Sequence, residues 1–235
     1  MKYLLTIFII GLVFLFGGDF EKGFSLYKKN RLLDAEKVWL KCAEKEKKDD
    51  LRCSYSLAVL YDEILSNKER SFFDNEKENR YKVFNYSLPE LFEKATKYYK
   101  KVANAGYPIA YAPLGLLYYK GAYLLNVNVV QPDYKEAKKW LVKASNSKDK
   151  KFVLYADNIL GLMYFNGDGV LQDYKKAEVY FKKAIKNKIT VAKCNLGNLY
   201  IKEGKIKLAK RYLREGYQDG EEYCAEIWNK NGLGR

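Results

Sequence analysis

The chain of 235 residues contains no histidine. That absence removes Ser-His-Asp and Cys-His nucleophilic sets, the usual general base near neutral pH, and most zinc sites. Cysteine is sparse: Cys42, Cys53, Cys194 and Cys224 lie too far apart for a Cys-x-x-Cys metal or redox motif. There is no Gly-x-Ser-x-Gly elbow, Walker-type phosphate loop or Gly-x-Gly-x-x-Gly turn. Gly167-Asp168-Gly169 reads as a helix connector, and the paired acids Glu221-Glu222 fall in a first helical turn, where they complement the dipole. The expectation is a non-enzymatic protein, with no catalytic, metal-binding or cofactor-binding residues and no cofactor.

Acidic residues are also in short supply, 29 against 43 Lys and Arg, for a formal charge of +14. Such an excess favours an acidic protein partner or an anionic surface and speeds encounter with it. A sequence pI of about 9.3 also raises nucleic acid, but no recognition motif is present and the leader described below argues against it. Many lysines, including Lys182, Lys186, Lys202, Lys207 and Lys210, are scattered along predicted outward helix faces, as on a solvated basic surface.

What the chain does have is repetition, with a period of roughly 35 to 45 residues. Leu57-Ala58, Leu114-Gly115, Leu160-Gly161 and Leu196-Gly197 each precede an aromatic residue: Tyr61, Tyr118, Tyr164 and Tyr200. A fainter copy has Gly23 and Tyr27. A second phrase follows each copy, with Ala35, Ala95, Ala137, Ala177 or Ala209 leading bulky residues and then a small or apolar one. Both phrases carry apolar residues at i, i+3, i+4 and i+7, the period of an amphipathic helix. Each unit is therefore two helices, A then B; five pairs and a terminal A-type helix over 221–229 are expected. Gly121 and Gly167 stand where A helices stop. Pro89 and Pro132 sit near helix starts. Ser87/Glu90, Asp133/Glu136 and Asp219/Glu222 have capping-box spacing. Glycines 115, 161 and 197, inside A helices, cost about 1 kcal/mol each against Ala, which close approach of a neighbouring helix would offset.

The run 156–184 (Ala156, Leu160-Gly161, Met163-Tyr164, Gly167, Gly169-Val170, Asp173-Tyr174, Lys176-Ala177, Tyr180, Lys183-Ala184) resembles a Sel1-like repeat, a relative of the tetratricopeptide repeat. The copy from Ala110 matches apart from a longer loop, the copy from Ala192 has a shortened one, and the first two copies are degenerate. The resemblance implies an all-α fold, a right-handed α-solenoid used for protein–protein contact, in general without activity of its own. Some relatives are periplasmic immunity proteins that neutralise a toxin. Some cysteine-rich relatives are weak penicillin-binding or β-lactamase-type hydrolases, but the cysteine pattern here fits theirs poorly and no Ser-x-x-Lys constellation supports that activity.

Residues 4–16 form an apolar stretch behind Lys2 and ahead of Gly17-Gly18. This reads as a signal peptide over 1–18, too short to span a membrane easily; the alternatives are a retained anchor or a buried helix. The expected location is periplasmic or secreted, with membrane contact only if the leader is retained, and the solenoid is a monomer over 19–235. Cys42 and Cys53 replace two small residues that face each other across a repeat boundary, within reach of a disulfide. Cys194 and Cys224 lie on adjacent A helices at non-equivalent positions. The alternative for these cysteines is service as small apolar residues.

Two insertions depart from the repeat. Residues 66–86 carry Phe72, Phe73 and Tyr81 and are open to three readings: a lengthened A helix, an added short helix, or a flap. Residues 122–129 alternate Leu125, Val127 and Val129 with asparagines, as an extended segment with one apolar edge does. That edge either folds back on the stack or contacts a partner. The concave face near Tyr61, Tyr118, Tyr119, Tyr164 and Tyr200 is a further candidate surface, although most aromatics at repeat positions belong to the core.

Overall fold

The computed structural model describes residues 18–45, 50–71, 81, 83–124, 127–153 and 155–234. Residues 1–17 of the expected leader (1–18), together with Phe72, Phe73 and Leu125, lie outside the described residues. Among those described, eleven α-helices form five antiparallel pairs and a last single helix: α1 (Asp19–Lys28) with α2 (Leu32–Ala43), α3 (Asp50–Ser71) with α4 (Leu88–Asn104), α5 (Tyr111–Lys120) with α6 (Tyr134–Ser145), α7 (Ala156–Asn166) with α8 (Tyr174–Lys186), α9 (Val191–Lys202) with α10 (Ile206–Gln218), and then α11 (Tyr223–Lys230). The odd-numbered helices are the A helices, and each of the first five packs chiefly on its own B helix and on neighbouring units. The one sheet is a two-stranded ribbon, β1 (Ala122–Leu124) and β2 (Val127–Val130). Helix α3 runs to Ser71, so the front of the 66–86 insertion lengthens an A helix.

The repeat alignment explains the packing. In each B helix the residue four after the leading alanine points into its own A helix. A Cβ on Gly115, Gly161 or Gly197 would come within 2.5–2.7 Å of Leu141, Phe181 or Leu213 respectively, and one on Gly23 would strike Trp39. The glycines let the two helices approach, which offsets their low helix propensity. The alanines and these bulky partners are almost wholly buried. The core is accordingly a series of seams, each shared by adjacent units, as nearest-neighbour stacking requires.

Capping follows the expected residues in part. Ser87 and Glu90 form the full reciprocal box at α4. Asp133 accepts from Glu136 N–H at 3.0 Å, but the Glu136 carboxylate accepts instead from Lys139 and from Trp140 Nε1. It has no claim on the Asp133 N–H, which already donates to the Tyr118 carbonyl. The Asp219/Glu222 box does not form: α11 starts at Tyr223 and Asp219 accepts from Lys193 at 2.7 Å.

Both disulfides are present. Cys42–Cys53 ties the end of α2 to the start of α3, with Cα atoms 6.0 Å apart. Cys194–Cys224 joins α9 to α11, with a Cα separation of 4.7 Å. Gly216 makes room for this second bridge, since a Cβ there would collide with Cys224 Sγ and lie 3.3 Å from Cys194 Sγ.

Candidate partner-binding edge

One backbone bond recurs in the last three units, where the A helix turns into its B helix. The carbonyls of Tyr118, Tyr164 and Tyr200 accept from the N–H of Asp133, Asp173 and Lys205 at 2.8, 2.9 and 2.8 Å. Glycines 121, 167 and 204 adopt positive φ just past the helix ends. The bond is the same whether the connector is short or carries the β1/β2 ribbon, so the ribbon is extra chain looped out of a constant frame. Successive A helices touch in four of five steps, α1 with α3, α5 with α7, α7 with α9 and α9 with α11, and this sets the A–B connectors along one edge of the stack. Neighbouring connectors meet there: Tyr119 donates its hydroxyl to Asp168 at 2.9 Å, and Gly169 lies tight against Tyr134.

Each A–B connector, or the start of the B helix after it, exposes an apolar side chain, while Tyr107, Val179, Leu208, Tyr217 and Tyr223 are exposed elsewhere. Leu171 is 90% exposed, Val83 56%, Val129 43% and Tyr123 41%. Leu33 and Ile206, at the starts of α2 and α10, are exposed as well. The ribbon pairs Ala122 with Val130, Tyr123 with Asn128 and Leu124 with Val127. Ala122 is buried and Val130 partly buried against the first core seam. The ribbon therefore divides between the two expected roles, with Ala122 and Val130 folded onto the stack and Tyr123 and Val129 facing solvent.

The other predicted contact residues fall in different places. Val127 belongs to β2 by its backbone. Tyr81 packs half-buried on the core and donates to Glu63 at 2.9 Å. Tyr119 is part-buried, its ring tilted against that of Tyr134. Tyr61 and Tyr200 are buried and serve the core, while Tyr118 and Tyr164 are part-buried. Sequence reasoning passed over Tyr123, Val83 and Leu171. For Leu171 the signal is a leucine at an unconstrained position of the motif, between Val170 and Asp173.

A second regularity links units. In four of the five B helices the residue after the leading alanine meets the A helix of the next unit; in α4, Thr96 donates instead to the carbonyls of Phe92 and Glu93 in its own helix. Glu36 accepts from Tyr61 at 2.7 Å and Glu178 from Tyr200 at 2.8 Å. Lys138 instead lies over the Tyr164 ring and Lys210 over that of Trp228. Glu36 also accepts from Tyr86 at 2.8 Å. Burial, then this bond to Glu36, pushes the Tyr86 phenol up to about 12, and burial foremost raises Tyr61 further.

The polar clusters hold units together. Asp157, wholly buried, accepts from Ser145 at 2.5 Å and Asn187 at 3.1 Å and pairs with Lys183 at 3.2 Å. Lys183 also donates to Ser145 Oγ at 2.8 Å. An ammonium that donates to the hydroxyl and is paired with a carboxylate is no base for that hydroxyl, so the cluster is a clamp across α6, α7 and α8. Among the described residues no group of acids or cysteines is placed to hold a metal ion, and no helix is long and apolar enough to cross a membrane. Two disulfides are the pattern of an oxidising, extracellular or periplasmic environment.

Comparison with known proteins agrees with this architecture. The Sel1 repeat model matches residues 87–107, 108–149 and 154–188. No curated protein matches the sequence. The chain is similar to a Sel1 repeat protein from Oxalobacter formigenes, with 24% identity over 92% of this chain and 76% of the other and a TM-score of 0.58. It is also similar to a protective antigen of uropathogenic Escherichia coli described as displaying an SLR fold, with 22% identity and a TM-score of 0.60. There the match covers 92% of this chain and 41% of that protein's length. Sel1 repeat proteins are in general non-enzymatic modules for binding other proteins. By these matches the chain carries three Sel1 repeats, over residues 87–107, 108–149 and 154–188, within a longer stack of helix pairs.

Proposed function

We propose that the chain is a non-enzymatic docking scaffold of the cell envelope or secreted space, exported by its leader, that binds an acidic protein through the A–B edge. The observation that carries this reading is the recurrence of exposed apolar side chains at successive A–B connectors, with one connector enlarged into a ribbon that displays Tyr123 and Val129. Apolar side chains grouped on one edge are a feature of contact surfaces. Tyrosine adds large contact area with a polar tip. The charge of +14 favours a partner of opposite sign.

The test compares capture from envelope extract by the oxidised wild type and by a Tyr123→Asp, Val129→Asp, Leu171→Asp variant of unchanged circular dichroism. A partner held through this edge is expected to weaken by about 30-fold or more, as when central anchors are lost. Equal capture by both forms would count against the edge. N-terminal sequencing of the exported chain checks the leader, with a start at Gly18 or Asp19 expected.

A further inference from the structure

Among the described residues the last helix, α11, is an A-type helix with no B helix of its own. Aligning Cys224 with Ala192 sets Trp228 and Asn229 of α11 where α9 has Leu196 and Gly197. In α9 that Leu-Gly pair is covered by Leu213 of its own B helix. In α11 the matching face lines an open groove of about 260 Å³, bounded by Leu213, Arg214 and Tyr217 of α10 and by Ala225, Trp228 and Asn229 of α11. The Cys194–Cys224 bridge forms part of its wall through Cys224.

The walls are apolar and the rim is cationic. Leu213, Ala225 and the Trp228 ring provide the apolar surface, and Tyr217 stands 58% exposed beside them. Arg214 is exposed, with no carboxylate on its guanidinium among the described residues. Lys210, one turn before it, has its ammonium 5.7 Å from the Trp228 ring centre. The volume lies below the roughly 300–1,000 Å³ of small-molecule sites, and suits one large anchoring side chain. A second copy of the chain would bring another +14 to this rim, which opposes self-association.

We propose that this groove is a second docking site, taking a peptide segment of a partner protein in which one large apolar side chain is flanked by carboxylates. The anchor fills the space over Ala225 and Trp228, as Phe181 and Leu213 fill the glycine faces of α7 and α9. The carboxylates pair with Arg214 and Lys210, where charge-assisted bonds add direction to the apolar contact. This inference rests on the reading of the chain as a protein-binding scaffold, but on a surface remote from the ribbon.

The test titrates the full oxidised chain with short synthetic peptides, Phe-centred and Glu-flanked, against Lys-flanked and Ser-centred controls. Peptide anisotropy and Trp228 emission are read together; Trp39 and Trp140 are buried and report little. The Glu-flanked Phe peptide is expected to bind, to shift the emission in wild type, and to leave the emission of Trp228→Phe unshifted. Arg214→Glu, on the exposed rim, should weaken binding by about tenfold or more, and Ala225→Trp should abolish it. The Tyr123→Asp, Val129→Asp, Leu171→Asp variant should bind the peptide as wild type does, so loss of the edge and loss of the groove are read separately. Three results would overturn the proposal: no peptide binding up to millimolar concentration, equal binding of Lys-flanked and Glu-flanked forms, or indifference to both groove variants. A dimer in sedimentation that Arg214→Glu disrupts would replace it with self-association.

Discussion

Gly161 and Phe181 show how single residues set the spacing of this stack. A methyl on Gly161 would lie 2.5 Å from Phe181 Cδ1, so the helices would have to part or the ring leave its rotamer. Overpacking of this kind costs about 1–3 kcal/mol, against about 1 kcal/mol gained in helix propensity. Gly161→Ala is therefore expected to lower stability by up to about 2 kcal/mol, read as a lower urea midpoint at unchanged slope. The penalty should shrink when Phe181→Leu is already present; an equal penalty in both backgrounds would remove the ring contact as its cause. The three A-helix glycines were legible as packing positions from their place in an amphipathic pattern. What each one faces was not, because the partner lies in another helix and ranges from leucine to phenylalanine.

Helices, ribbon and bridges carry the next level. Cys42–Cys53 closes a sequence separation of 11 and Cys194–Cys224 one of 30. In the chain-entropy account the first contributes about 3 kcal/mol and the second about 4 kcal/mol. Replacing Cys194 and Cys224 by alanine is expected to lower the melting temperature more than replacing Cys42 and Cys53. It should also raise amide exchange chiefly in α10 and α11, whose seam includes that bridge; an even loss across all helices would contradict seam-by-seam stability. The first bridge was legible because both cysteines occupy small positions that face each other across a repeat boundary. The second was harder to read, since it joins two A helices and depends on Gly216 leaving space. The ribbon shows a similar limit. Its alternation was visible in the sequence, but the facing of Ala122 and Val130 inward and of Tyr123 and Val129 outward depends on its packing against α3 and α4.

Across the whole molecule, tyrosines bonded to carboxylates cross-link units along the stack: Tyr27 to Glu63, Tyr61 and Tyr86 to Glu36, Tyr119 to Asp168 and Tyr200 to Glu178; Tyr99 to Asp62 ties the two helices of one unit. Burial, then hydrogen bonding to the carboxylate, raises Tyr61, Tyr86, Tyr119 and Tyr200 above the ordinary phenol value. Below pH 10 both folded and unfolded phenols keep their protons and this stabilisation is complete. Above it the unfolded chain loses protons that the fold retains, so stability falls as pH rises through the folded values. Melting temperature is expected to drop steeply between pH 10 and 12. Tyrosinate absorbance should lag behind a model phenol until the fold opens. Ionisation of all 22 tyrosines at the free value with the helices intact would show that these hydroxyls are not held.

The sequence by itself determined the all-α repeat, its five pairs and odd last helix, the A-helix glycine positions, the Ser87/Glu90 cap, and the absence of histidine-based chemistry. These follow from local propensity and apolar period, which a single segment carries on its own. Only the tertiary structure decided which aromatics are core and which are surface, where the second bridge closes, and that exposed apolar residues recur at the A–B connectors while a groove opens at the last helix. Those outcomes depend on what a distant unit sets against each face, and burial is a property of the assembled stack.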